Sequence, residues 1–168
     1  QSPAELRSDS LDRLFASLHR ASDPRQAKTI EQNIWKLWMS SDSPTAELLL
    51  QQATRAMDEG APEQSLRILN RLIGAYPDFA EAWNKRATVR YMRKDFEGSV
   101  ADCRETLARN PHHFGAASGQ GLCHMELGGF REAAVCFRRA LEIHPHLDAV
   151  RYNLALAEAQ GGGSGYLH

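Results

Sequence analysis

Apolar side chains return every three or four positions along nearly the whole chain, the spacing of one face of an α-helix. Pro, Gly, Asn and Asp interrupt the pattern at short intervals. It predicts helices over 9–20, 24–40, 44–58, 62–75, 79–92, 96–109, 113–127, 130–143 and 147–160. In the first of these Leu11, Leu14, Phe15 and Leu18 share a face. In the second Ala27, Ile30, Ile34, Leu37 and Trp38 do, with Trp35 and Met39 widening the stripe. Ser22-Asp23-Pro24 and Ser43-Pro44 each pair an N-cap with a proline in the first turn, and Asp78 stands where another helix needs a cap.

A longer period lies over the helical one. Pro77, Pro111 and Pro145 are 34 residues apart. They divide the chain into segments 46–79, 80–113 and 114–147. At position 8 of each stands a small residue: Ala53, Ala87, Gly121. Position 20 is also small (Ser65, Ser99, Ala133), while position 24 is Leu69, Cys103 or Phe137. Small residues at 8 and 20 let two antiparallel helices approach to about 8–10 Å. The proline cannot donate a backbone hydrogen bond, so it ends the second helix of each pair. One pair cannot bury its apolar face alone, so the pairs must stack.

These positions resemble the tetratricopeptide repeat: large at 4 (Leu49, Trp83), small at 8 and 20, apolar at 24, small at 27 and Pro at 32. The third segment fits best, with Gly121, Ala133, Phe137, Ala140 and Pro145; the second has Thr106 at position 27, and the first is the most degenerate. The resemblance implies an all-α, right-handed α-solenoid of three helix pairs over 44–160. Residues 148–160 look like a further first helix, with Tyr152, Leu154 and Ala155, that caps the stack. Residues 1–43 form a helical hairpin with a poor repeat pattern, expected as an N-terminal cap on the first repeat. The Gly-rich end, 161–168, reads as a flexible tail. Ile34-Trp35, Trp38 and His113-Phe114-Gly115 together look like a little-characterised group of such proteins from bacteria and plant organelles. The Trp stripe reads as core, because two indoles bury large areas at low entropic cost; the alternative is a partner-binding patch.

The same resemblance implies a non-enzymatic module that binds a peptide or protein segment in a concave groove lined by first helices. The groove residues are then Asn84, Thr88, Tyr91, Gly115, Ser118, Gly119, Leu122, Met125, Tyr152 and Leu156. Aromatic anchors beside adaptable polar groups suit an extended or helical peptide. Gly115 and Gly119 share a helix face, and each gives up about 1 kcal/mol of helix propensity relative to Ala. Such a face suggests close approach of another backbone, either a partner segment crossing at Gly115 and Gly119 or, within the chain, the next helix or the N-terminal hairpin. Relatives that clamp the acidic tails of chaperones use Lys and Asn at fixed groove positions. Here those positions hold Leu50, Thr54, Lys85, Gly115 and Gly119, or, one repeat later, Asn84, Thr88, Gly119, Ala149 and Asn153. Neither set makes charge-assisted bonds to a terminal carboxylate, so a carboxylate clamp is not expected. A structural subunit that joins a larger complex through its hairpin and convex face is the other reading.

Composition narrows the picture further. Apolar residues make up 42% and charged residues 24%, with a formal net charge of −1. No segment is basic enough for nucleic acid or a membrane surface. Lys85, Arg86, Arg90, Arg93 and Lys94 cluster, but with Asp58, Glu59, Asp95 and Glu97 nearby they read as a salt-bridged solvated face. No apolar run is long enough to span a bilayer. The chain begins at Gln1 rather than Met, which reads as a processed or an engineered form. Cys103, Cys123 and Cys136 have no CxxC spacing and each falls in a predicted helix, which favours a reducing compartment. His112-His113 and His144/His146 recur on one edge of the array and raise a metal-binding accessory role. No HxxxH, HExxH or CxxC spacing supports it, and no metal or cofactor is expected. No P-loop, GxGxxG or GxSxG motif is present, so no catalysis is expected.

Overall fold

The computed structural model describes the backbone of residues 1–166 and the side chains of residues 1–161. Among the described residues the chain is entirely helical: α1 (Pro3–Arg20), α2 (Pro24–Trp38), α3 (Pro44–Asp58), α4 (Pro62–Ala75), α5 (Ala80–Met92), α6 (Phe96–Arg109), α7 (Phe114–Glu126), α8 (Phe130–Ile143) and α9 (Asp148–Tyr166). Each helix from α3 to α9 packs on its sequence neighbour, so the pairs α3/α4, α5/α6 and α7/α8 stack in chain order.

Two boundaries differ from expectation. α1 begins at Pro3 rather than near residue 9, because Ser2 caps it: the Glu5 amide donates to Ser2 Oγ and the Ser2 amide donates back to the Glu5 carboxylate. α9 runs past residue 160 through the glycines expected as a tail. Gly161 lies against the first turn of α8, where an added Cβ would stand 3.5 Å from Phe130 Cβ. Residues 167–168 of the expected tail lie outside the described residues.

The small residues do what their positions demand. Ser65 Oγ donates to the Ala53 carbonyl at 2.8 Å, and Ser99 Oγ to the Ala87 carbonyl at 2.7 Å. Both bonds are buried and tie position 20 of one helix to position 8 of its partner. The third pair replaces the bond with packing: the fully buried Phe137 ring fills the space left by the missing side chain of Gly121. The first helix of every pair ends in a left-handed residue, Gly60 (φ 78°), Lys94 (φ 64°) and Gly128 (φ 79°). The residue after each donates its amide back into the last turn: Ala61 to Ala56, Asp95 to Arg90 and Gly129 to His124, all at 2.8 Å.

Buried side chains form two clusters along the stack. Leu50, Leu69, Leu72 and Ile73 of the first pair bury against Ala82 and Val89 of α5. In the second cluster Cys103 and Leu107 of α6 meet Ala116, Ala117, Ala133 and Phe137 of the third pair, and Val150 and Ala157 of α9 cover its open end.

The hairpin is placed differently from expectation. Its apolar stripe (Leu18, Ala27, Ile30, Ile34, Trp38) clusters with Phe114, Ile143 and Leu147, which belong to the turns entering and leaving the third pair. It packs across those turns rather than on the first repeat, because that is where an apolar edge stands open. Arg7 of α1 bonds Asp42, in the linker between α2 and α3, at 2.7 Å.

Candidate functional site

Between α5 and α7 lies a cavity of about 220 Å³, bordered by Asn84, Ala87, Thr88, Tyr91, Ser99, Cys103, Gly115, Ser118, Gly119 and Leu122. Seven of the ten expected groove residues therefore border one space. They do so because positions 5, 9 and 12 of one first helix face positions 2, 5, 6 and 9 of the next across the stack. Met125 is elsewhere: it packs against the core cluster around Phe137. Tyr152 and Leu156 stand on α9 beyond the cavity, 67% and 39% exposed.

The walls are mostly apolar, with a few uncharged polar groups set among them. Thr88 Oγ1 donates to the Asn84 carbonyl at 3.2 Å, and Ser118 Oγ to the Gly115 carbonyl at 3.2 Å. Their donors are thus held by their own helices while the oxygens retain acceptor capacity. Tyr91 packs edge-on to Phe96 with ring centroids 5.4 Å apart. Burial raises its hydroxyl above the ordinary pKa, with Glu126 and Cys123 adding to the effect. On the floor Cys103 is buried and its thiol is pushed up to about 12, first by burial and then by Cys123 and Asp102. It is a packing group there, not a nucleophile.

The paired glycines of α7 part company. A Cβ on Gly119 would meet only Cys103 Sγ, at 3.6 Å, an ordinary contact facing the cavity. A Cβ on Gly115 would stand 2.8 Å from Trp35 Cη2 and 3.0 Å from His113 Cε1. The close neighbour at Gly115 is therefore the chain's own hairpin, the intramolecular alternative, while Gly119 stays open to the cavity. Trp35 also lies under Lys85 Nζ, 5.9 Å from the ring centroid.

Two buried polar constellations gave no sequence signal. Glu81 and His113 are both fully buried, with His113 Nε2 2.9 Å from Glu81 Oε2. The Ala116 amide donates to His113 Nδ1 at 2.9 Å, which places the proton of a neutral ring on Nε2, donating to Glu81. Asn84 Nδ2 donates to the other carboxylate oxygen at 2.8 Å, so the pair braces one wall of the cavity. Trp38 stacks over His113 at 4.1 Å and 18°. The second constellation takes most of the basic cluster out of play. Arg86 binds Asp102 through both Nε and Nη2 at 2.9 Å, and Arg90 Nη1 adds a third contact at 2.9 Å. Arg93 pairs with Glu63. The spacing of Arg86 and Arg90 showed that they share a face, but not that Asp102 of α6 was buried beneath them.

The histidine pairs do not meet each other. Among the described residues no three His, Cys, Asp or Glu side chains gather to hold a metal ion. Instead His144 Nε2 meets Glu31 Oε1 at 2.8 Å and His146 Nε2 the Leu18 carbonyl at 3.0 Å, both on the hairpin. Among the described residues no helix is long and apolar enough to cross a membrane.

Comparison with known proteins gives a consistent picture. The family model for the tetratricopeptide repeat matches residues 50–114. A TPR repeat-containing protein of Rhizobium etli is 36% identical over 135 residues, 80% of this chain and 66% of its own length. The chain thus spans about two thirds of that relative. Among solved structures, the first TPR domain of Spaghetti bound to an HSP90 peptide superposes with a TM-score of 0.68 at 22% identity, over 70% of this chain and 93% of that one. The crystal structure of MamA does so with a TM-score of 0.67 at 18% identity, over 93% of this chain and 83% of that one. At these identities the likeness to the solved structures is one of fold.

Proposed function

The chain belongs to the tetratricopeptide-repeat family, an α-solenoid architecture for protein–protein interaction, and from that premise we propose that it holds a peptide or protein segment in its concave groove, as a scaffold or assembly factor. The observation that carries this reading is the α5/α7 cavity. Its space of about 220 Å³ suits one apolar side chain, and the hydroxyls of Thr88, Tyr91 and Ser118 stand around it for the flanking backbone. Affinity then rests on a few buried anchors, each worth about 2 kcal/mol. No catalytic step, metal or cofactor enters the proposal.

The occupant is neutral where it enters the cavity. Lys85 is drawn over Trp35, and Arg86 and Arg90 are engaged by Asp102. Leu50 is buried and Thr54 donates to its carbonyl at 2.9 Å. This speaks against a clamp for a terminal carboxylate, although a fold neighbour is seen with an HSP90 peptide, and equally against a nucleic-acid partner. Three buried, unpaired cysteines fit a reducing compartment. The hairpin turns its apolar stripe inward, which leaves the structural-subunit reading the outer face of α1, where Leu6 is half exposed, and the convex face of the repeats, where Val135 of α8 is exposed.

The test is selection from a random-peptide display library, followed by binding of the winners to variants. Gly119→Leu should fill the cavity and weaken binding about tenfold or more, equal to about 1.4 kcal/mol, with Tyr91→Ala and Leu122→Ala also weakening it. Peptides that bind Gly119→Leu as well as the parent would place the site elsewhere.

A further inference from the structure

The joint between the α1–α2 hairpin and the repeats is built from histidines, and from its geometry we propose that the hairpin is a pH-sensitive strap, released on acidification to uncover Phe114 and Gly115 beside the groove.

Four histidines make the joint. His19 Nε2 lies 3.0 Å from the Ile143 carbonyl, and His146 Nε2 3.0 Å from the Leu18 carbonyl. These two bonds run in opposite directions across the same seam. His113 lies under Trp38. His144, 2% exposed, bonds Glu31 of α2 through Nε2, while its Nδ1 accepts the His146 amide at 3.2 Å. That amide fixes the neutral tautomer, as the Ala116 amide does at His113. A proton added at His144 Nδ1 would point N–H at N–H and break the turn that presents Leu147 to the hairpin.

The charges around His144 decide the sign. Glu31 faces it from α2, His19 from α1 and His146 from its own turn. Lys28 of α2 and Asp148 of α9 border the same space of about 350 Å³, and Arg151 of α9 donates to the Pro145 carbonyl at 2.6 Å. Burial lowers the imidazole below its ordinary value; Glu31 pulls it up, and His146 and His19 push it down again. The docked hairpin therefore binds fewer protons than the released one. Docking is at full strength above the ordinary histidine value of about 6.5 and weakens as pH falls through and below it.

A second observation points the same way. Trp38 Nε1 is buried in the docked state without a hydrogen-bond partner. Release returns that donor to water, which offsets part of the apolar area lost. Because Trp35 sits on Gly115, a border of the α5/α7 cavity, release also lengthens the groove. The hairpin would stay tethered through residues 39–43.

Tryptophan emission tests this directly. The chain has three tryptophans, so in a Trp83→Phe variant only Trp35 and Trp38 of the hairpin report. On titration from about pH 8 to about pH 5, the span in which His changes charge, emission should shift to the red while far-UV helical signal holds. Adding His144→Gln, which keeps a donor and an acceptor but cannot take a proton, should move the transition to lower pH or abolish it. In the unsubstituted chain, hydrogen exchange corrected for its intrinsic pH dependence should show α1 and α2 losing protection on acidification while α3–α8 retain theirs. Constant emission, a red shift that coincides with loss of helix, or His144→Gln titrating like its parent would overturn the strap.

Discussion

Replacing Gly121 by Ala adds one methyl group to α7, and before packing is counted the helix gains about 1 kcal/mol from it. Packing opposes that gain. The new Cβ would lie 2.6 Å from Phe137 Cδ1 and 2.9 Å from Cζ, well inside contact distance. Phe137 is fully buried, so its ring cannot yield toward solvent. Overpacking of this kind costs about 1–3 kcal/mol, which cancels the gain or leaves a net loss of up to about 2 kcal/mol. Gly119→Ala, two residues earlier on the same helix, meets only Cys103 Sγ at 3.6 Å and keeps the propensity gain. For a chain of this size, 1 kcal/mol moves the melting temperature by about 2–4 °C. Differential scanning calorimetry should therefore find Gly119→Ala raised by about 2–4 °C and Gly121→Ala not raised at all but lowered by up to about 8 °C. Phe137→Leu should cost less in the Gly121→Ala background than alone, because the methyl group then has room. If Gly121→Ala proves as stable as Gly119→Ala, the account of how the third pair closes is wrong.

Two further substitutions probe features outside that pair. Lys94→Gly relieves the one non-glycine residue with positive φ at the end of a first helix among the described residues, and should raise stability by about 0.5–1 kcal/mol in urea titration; a loss would mean that the Lys94 side chain contributes more than its backbone costs. Asp102→Asn leaves Arg86 and Arg90, 14% and 29% exposed, with a neutral partner. It should lower stability by about 2–3 kcal/mol, below the full cost of a broken buried pair because Arg90 can reach water, as a drop in the urea midpoint at unchanged slope; an unchanged midpoint would make the network surface decoration.

The placement of residues by local rules was legible for most of the repeats. The three prolines, Ala53, Ala87 and Gly121, and Ser65 and Ser99 announced paired helices stacked in order. Each of those features acts within one pair or between neighbours, where distance along the chain and distance in space nearly coincide. For the same reason most of the expected groove residues border one cavity: helix periodicity alone sends positions 5 and 9 to the same side. What sequence could not reach were contacts between distant segments. Glu31 meets His144 across 113 positions, and Arg86 meets a buried Asp102 whose sequence neighbours, Ala101 and Cys103, give no hint of an ion pair. Gly115 and Gly119 carried the same signal and came to different ends, one under Trp35 and one facing an open cavity.

By itself, then, the order of residues determined that helices form, where nearly all of them begin and end, and that they stack as an array. Those outcomes follow from backbone propensity, caps and a repeated small-large pattern, each confined to a few turns of chain. Only the tertiary structure decided where the N-terminal hairpin docks, which histidines it engages and which glycine stays open. That choice depends on which of several apolar edges the completed array leaves uncovered, and the uncovered edge exists only once the third pair and α9 are in place.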